Sequence, residues 1–122
     1  MIYEKELSDT IIGAAIEVHK QLGNGFLETV YENALMIELQ ENHLSAENQK
    51  KLNVYYKNQI VGEYFADIIV EDKVIIELKV CQKLTDIHKA QLINYLKATG
   101  MKIGYLLNFG AESKLEFIRL IK

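Results

Sequence analysis

The chain has 122 residues, 49% of them apolar and 25% charged, which fits a single domain spanning residues 1–122 and argues against disorder. It has no proline and one cysteine, Cys81, so a disulfide framework, a zinc cage and a cysteine-held iron–sulfur cluster within one chain are excluded. The net charge is −3, with one arginine among fourteen basic residues, which counts against a broad basic surface coating nucleic acid. No apolar run approaches the ~18 residues that span a bilayer. The charged start from Met1 lacks the apolar stretch of a signal peptide, so a cytoplasmic location with no membrane partner is expected.

Ser8 is a good helix N-cap, with Asp9 in the first turn. Ile11, Ile12, Ala15, Ile16, Val18, His19 and Leu22 then recur at helical spacing until Gly23-Asn24-Gly25. His19 reads as a satisfied packing residue. A second helix is expected from about Leu27 to His43, with Val30, Tyr31, Ala34, Leu35, Ile37 and Leu39 on its apolar side. Residues 47–57 alternate as a strand, and Ile60 to Val70 form a second, with Gly62 marking a bulge. Val74 to Val80 form a third, and Cys81 after it reads as a small buried hydrophobe. Thr85 or Asp86 caps a third helix that Gly100 closes. Ile103–Phe109 and Leu115–Ile121 are the last strands. The order α-α-β-β-β-α-β-β predicts a mixed sheet flanked by helices, an α/β (α+β) class. The helical crossover favours a parallel pair between the third and fourth strands, after an antiparallel meander.

Asp67, Glu77 and Lys79 carry the chemistry. They interrupt two strands rich in Ile and Val, where a charge is costly unless it is paired or bound to a metal. If the turn is Glu71-Asp72-Lys73, Val70 faces Val74 and Asp67 faces Glu77, with Lys79 on the face of Glu77. A divalent cation between the two carboxylates then relieves their repulsion, and Mg²⁺ suits such a site, with Mn²⁺ as the alternative. If the loop is the two-residue Glu71-Asp72, Asp67 turns to the other face and the metal reading fails unless a bulge intervenes. A plain cross-strand charge cluster is the competing reading.

Glu28 opens the second helix. There it serves the helix dipole locally, or it is aimed at the same metal, with Tyr31 sharing its face. His88, Gln91 and Tyr95 share one face of the third helix, either at the edge of the core or over a phosphate.

Gly25-x-x-Glu28-x-x-Tyr31 resembles the motif for which the GxxExxY proteins are named. The words Ala15-Ile16-Glu17-Val18-His19-Lys20, Ile76-Glu77-Leu78-Lys79, Gln91-Leu92-Ile93-Asn94-Tyr95-Leu96 and Leu107-Asn108-Phe109-Gly110 are similar to that family too, in the same order. The resemblance implies the PD-(D/E)XK nuclease-like superfamily, with a restriction-endonuclease-like αβββαβ core, an extra N-terminal helix and a C-terminal strand. It further implies Asp67, Glu77, Glu28 and the Leu78 backbone carbonyl as metal ligands and Lys79 as the catalytic lysine. Gln91, Tyr95, Tyr31, Lys89 and Lys97 would then contact substrate. Ala66 stands where the superfamily often has proline. The expected activity is Mg²⁺-dependent DNA hydrolysis by a homodimer, and a non-catalytic module on the same scaffold is the alternative.

Overall fold

The computed structural model describes residues 4–122, so the first three residues of the charged N-terminal stretch lie outside it. Helix α1 (Lys5–Leu22) and helix α2 (Glu28–Glu41) precede strands β1 (Ala46–Tyr56), β2 (Gln59–Val70) and β3 (Val74–Lys79). Helix α3 (Asp86–Thr99) then crosses to strands β4 (Ile103–Asn108) and β5 (Glu116–Ile121). The five strands form one sheet in the order β1-β2-β3-β4-β5. Only β3 and β4 run parallel; the other pairs are antiparallel. This is the mixed α/β architecture expected.

The two faces of the sheet bury separate cores. Ile68, Val70, Val74, Ile76, Leu78, Tyr105 and Leu107 pack under α1 and α2. Ala66, Tyr64, Ile69, Ile75 and Leu106 pack with Leu92 and Leu96 of α3.

Three expectations change. Helix α1 begins at Lys5, so Ser8 is not its cap but a buried residue inside it. Lys5, Glu6 and Leu7 extend the helix by a turn because they are adequate helix formers and Lys5 pairs with Asp9 at i+4. On α2 the buried stripe is Tyr31, Leu35 and Leu39, while Val30 and Ile37 are exposed, as is Ile16 on α1. Cys81 is only half-buried rather than a core residue.

Other local signals hold. Thr85 caps α3, and His88 closes a capping box with it. Gly100 ends α3 in the left-handed region at φ 74°. A register shift at Val54/Tyr55 leaves Val61 as an extra residue beside Gly62. His19 Nε2 bonds the Ala111 carbonyl at 2.7 Å, satisfying a buried ring.

Asn108 locks the exits of β3 and β4 together. It is fully buried. Its Oδ1 accepts from the Cys81 and Gly110 N–H groups, and its Nδ2 donates to the Cys81 carbonyl and Glu116. Next to it, a Cβ on Gly110 would lie 2.6 Å from the Cys81 backbone, so that crossing admits only glycine. Asn108→Ala strips partners from several buried backbone groups at once, each worth about 1–3 kcal/mol. Urea unfolding is expected to show a loss of about 2–4 kcal/mol, and a loss below about 1 kcal/mol would contradict this role.

Candidate active site

The register of β2 and β3 pairs Val70 with Val74, Ile69 with Ile75 and Ile68 with Ile76. The loop is therefore the three residues Glu71-Asp72-Lys73, the odd-numbered turn that the metal reading required. Glu71 and Asp72 achieve it with positive φ.

The ladder ends at Ile68 and Ile76, and from there the strands part into a fork. Side chains replace the next backbone pair. The Leu78 N–H donates to Asp67 Oδ2 at 2.8 Å, and the Asp67 N–H donates to Glu77 Oε2 at 3.1 Å. Each carboxylate thus reaches across to the opposite strand.

The direction of Asp67 depends on a switch of faces. Ala66 and Tyr64 belong to the α3 core, whereas Ile68 and Val70 belong to the α1/α2 core. Strict alternation would put all four on one side. Strand β1 breaks at the same level: Asn48 bonds Glu32 of α2, while Leu52 packs toward α3. The pairing runs from Asn48↔Ile68 to Lys50↔Ala66 and skips Gln49 and Asp67. Gln49 makes the break with φ 49°, a conformation uncommon for a residue without glycine's freedom. Its amide then bonds Glu32 Oε1 at 2.8 Å and reaches Asp67 Oδ1 at 3.4 Å.

Glu77 is buried at 8% exposure. The Tyr64 hydroxyl donates to its Oε2 at 2.7 Å. The Tyr64 ring stacks on Tyr95 of α3, with centroids 3.5 Å apart. Burial first, and then the charge of Asp67, push the Glu77 carboxyl up to about 7, against the opposing pull of the Tyr64 hydroxyl, the Asp67 N–H and Lys79. Asp67 is raised by burial and by Glu32, with the Leu78 N–H, Gln49 and Lys79 opposing. Glu28 is raised by partial desolvation and by Asp67, with Lys79 opposing. Glu28, Glu32, Asp67 and Glu77 therefore share one electrostatic neighbourhood, and Lys79 is the cation that offsets it.

Glu28 comes from the first residue of α2. Gly25, at φ 111°, makes the turn before it. Tyr31 holds that turn: its hydroxyl donates to the Gly23 carbonyl at 2.6 Å and accepts from the Phe26 N–H at 3.2 Å. Its ring stacks on Phe109 at 4.8 Å and is fully buried. Tyr31 is thus removed from the substrate-contact set, because burial and two hydrogen bonds leave it nothing to offer a ligand.

On α3, Gln91 is exposed and Tyr95 is tied to the site through Tyr64. Burial and then Glu77 raise the Tyr95 phenol, and Gln91 opposes the rise. Lys89 pairs locally with Asp86, and Lys97 is exposed. Glu32, Gln49 and Tyr64 were not singled out in the sequence. Glu32 had a signal, since it lies four residues after Glu28 on one helix face.

A family model described as the PD-(D/E)XK nuclease superfamily matches residues 5–120. The chain belongs to the PD-(D/E)XK nuclease superfamily. No curated protein matches it. Among solved structures, the crystal structure of SSO0001 is similar in fold, with a TM-score of 0.61 at 20% identity. That alignment covers 98% of this chain and 60% of SSO0001, so the chain spans well under the full length of that protein. In this PD-(D/E)XK chain Asp67, Glu77 and Lys79, expected from the sequence to carry the acid pair and the lysine, come together at the fork. No helix of the described residues is long and apolar enough to cross a membrane.

The high Glu77 value sets a sign for stability. A carboxyl that ionises later when folded than when unfolded stabilises the fold below about 4.5, and the contribution is lost as pH rises to about 7. In EDTA the protein should melt lower at pH 8 than at pH 5. Glu77→Gln keeps an acceptor for Tyr64 and should flatten that slope, gaining up to about 3 kcal/mol at pH 8. Parallel slopes for the two proteins would refute the assignment.

Proposed function

We propose that the fork is the active site of a Mg²⁺-dependent nuclease that hydrolyses DNA phosphodiester bonds. The observation that carries this reading is the excess of acid: burial first, and then neighbouring carboxylates, raise the proton affinity of Glu28, Asp67 and Glu77 beside the Lys79 ammonium. Such an arrangement is costly in the apo protein and is reversed by a hard divalent cation.

The donor set fits that cation. Among the described residues, no group of three or more His, Cys, Asp or Glu side chains stands ready to hold an ion. Magnesium does not need three, since it takes one or two carboxylates and keeps its waters for a phosphate. Asp67 and Glu77 are assigned as those ligands, with the Leu78 carbonyl between them in sequence, and Mn²⁺ would take the same donors. Glu77 Oε2 is occupied by Tyr64 and the Asp67 N–H, while among the described residues Oε1 carries no protein hydrogen bond. When bound, the ion would polarise the phosphodiester and acidify a water.

The chain's own residues do the rest. Lys79 places a positive charge where negative charge develops on phosphorus and the attacking oxygen. Glu28 faces the same fork from α2 and is placed to orient water. Tyr64 of β2 holds Glu77 through its hydroxyl and is backed by the Tyr95 ring of α3. Gln91, beside Tyr95 on α3, is assigned as a contact for the strand, with Lys89 and Lys97 as further contacts from other sides of that helix. A homodimer or partner would supply the second grip that a duplex requires.

The test is cleavage of single-stranded, duplex and branched DNA in Mg²⁺ or Mn²⁺. Lys79→Ala, at a half-exposed position, should keep the fold and lower kcat by about 10²–10³-fold. Glu77→Ala should abolish cleavage and also the rise in melting temperature caused by metal. Cleavage that survives both substitutions would place the activity elsewhere. Absence of any metal-induced shift in the intact protein would favour a binding module.

A further inference from the structure

Beyond the fork, β1 and β2 continue as a two-stranded arm without β3. One face of this arm is covered: Leu52, Tyr64 and Ala66 pack toward α3. The other face is bare. Alternation places Phe65 and its cross-strand partner Lys51 there, then Asn53 with Glu63, then Tyr55 with Ile60. Phe65, Tyr55 and Ile60 are 52%, 58% and 57% exposed. Large apolar side chains do not usually gather in the open unless something covers them.

The arm also differs from the rest of the chain in charge. Residues 50–65 hold three lysines and one glutamate, a net +2 within a chain of net −3. Lys51 pairs with Glu63 at 2.9 Å on the bare face and Lys50 with Glu47, which leaves Lys57 at the tip as the ammonium open to a phosphate. Lys57 lies 5.5 Å over the Tyr56 ring at the tip. Aromatic rings interleaved with lysines and amides are the chemistry of a nucleic-acid strand: rings stack on bases, and ammonium groups follow phosphates. Interfaces between proteins select against lysine, so a second copy of the chain is the poorer fit. The bare face also leads into the site, because Phe65 lies two residues before Asp67 on the same strand.

We propose that this face of the arm binds single-stranded DNA, stacking bases on Phe65 and Tyr55 and delivering the adjoining phosphate to the fork. The inference rests on the nuclease reading for the destination of the strand, but its binding step does not require catalysis. Duplex bases are already stacked and offer no free faces to these rings, so the arm selects unpaired DNA.

The experiment is fluorescence anisotropy of the full chain with a labelled oligo-dT 20-mer and a duplex of equal length, in EDTA. The intact protein should bind the single strand more tightly than the duplex. Phe65→Ala and Tyr55→Ala should each weaken single-strand binding about tenfold, with melting temperatures close to that of the intact protein. Duplex binding should change by less than about twofold. Lys57→Ala serves as a second probe and should reduce the salt dependence of binding. The proposal is overturned if the folded double variant Phe65→Ala, Tyr55→Ala binds oligo-dT as the intact protein does, or if the intact protein prefers duplex. It is overturned equally if sedimentation shows a dimer that the double variant abolishes. Loss of cleavage with oligo-dT binding retained would sink the nuclease reading and leave this one standing.

Discussion

Two crossed hydrogen bonds at the parting of β2 and β3 are the feature on which the site depends. At that level each strand's backbone amide donates to the other strand's carboxylate, Leu78 to Asp67 and Asp67 to Glu77. A regular ladder would have spent those amides on carbonyls and left the acids to splay. Here the acids are drawn together at a place where their charges repel. Burial deepens the conflict, and Glu77 bears most of it, since its proton affinity rises to about 7. On the proposed reading, this tension is what a hard cation relieves.

The rest of the fold serves to hold that point. Helix α2 is fixed at its entrance by Tyr31, whose hydroxyl closes the Gly23–Phe26 turn and whose ring stacks on Phe109. That fixation aims Glu28 and Glu32 at the fork. Helix α3 supports the other side through the Tyr95–Tyr64 stack and the Tyr64–Glu77 hydrogen bond. The parallel β3/β4 pair is closed beyond the site by Asn108 and the tight crossing at Gly110. Gln49 is one of several strained positions, and its left-handed conformation, which costs on the order of 1–3 kcal/mol, is offset by its bonds to Glu32 and Asp67.

Much of this was legible in the residues. Apolar alternation and Val/Ile enrichment located the strands, and of the two turns the sequence allowed, the structure adopts the three-residue one that brings Asp67 and Glu77 to one level. The helix between β3 and β4 required their parallel pairing. The reversal of faces at Gln49 and Asp67 was not legible, because alternation assumes unbroken pleating and a glutamine does not announce the positive φ that Gln49 adopts. Tyr31 was misread for a related reason: sharing a helix face with Glu28 does not separate a side chain that turns inward from one that reaches out. Ser8 was taken as a cap because its type is right, but the Lys5–Asp9 pair and Leu7 carry the helix one turn further back. In the GxxExxY word, glycine and tyrosine build the turn, and only the glutamate faces the chemistry.

The most direct measurement is anomalous diffraction from crystals of the protein soaked in Mn²⁺ at pH 8, where Glu77 is ionised. The account predicts a peak in the fork, within about 2.0–2.3 Å of carboxylate oxygens of both Asp67 and Glu77, that disappears in Glu77→Gln. A fork without manganese, or an ion bound elsewhere and indifferent to that substitution, would contradict it.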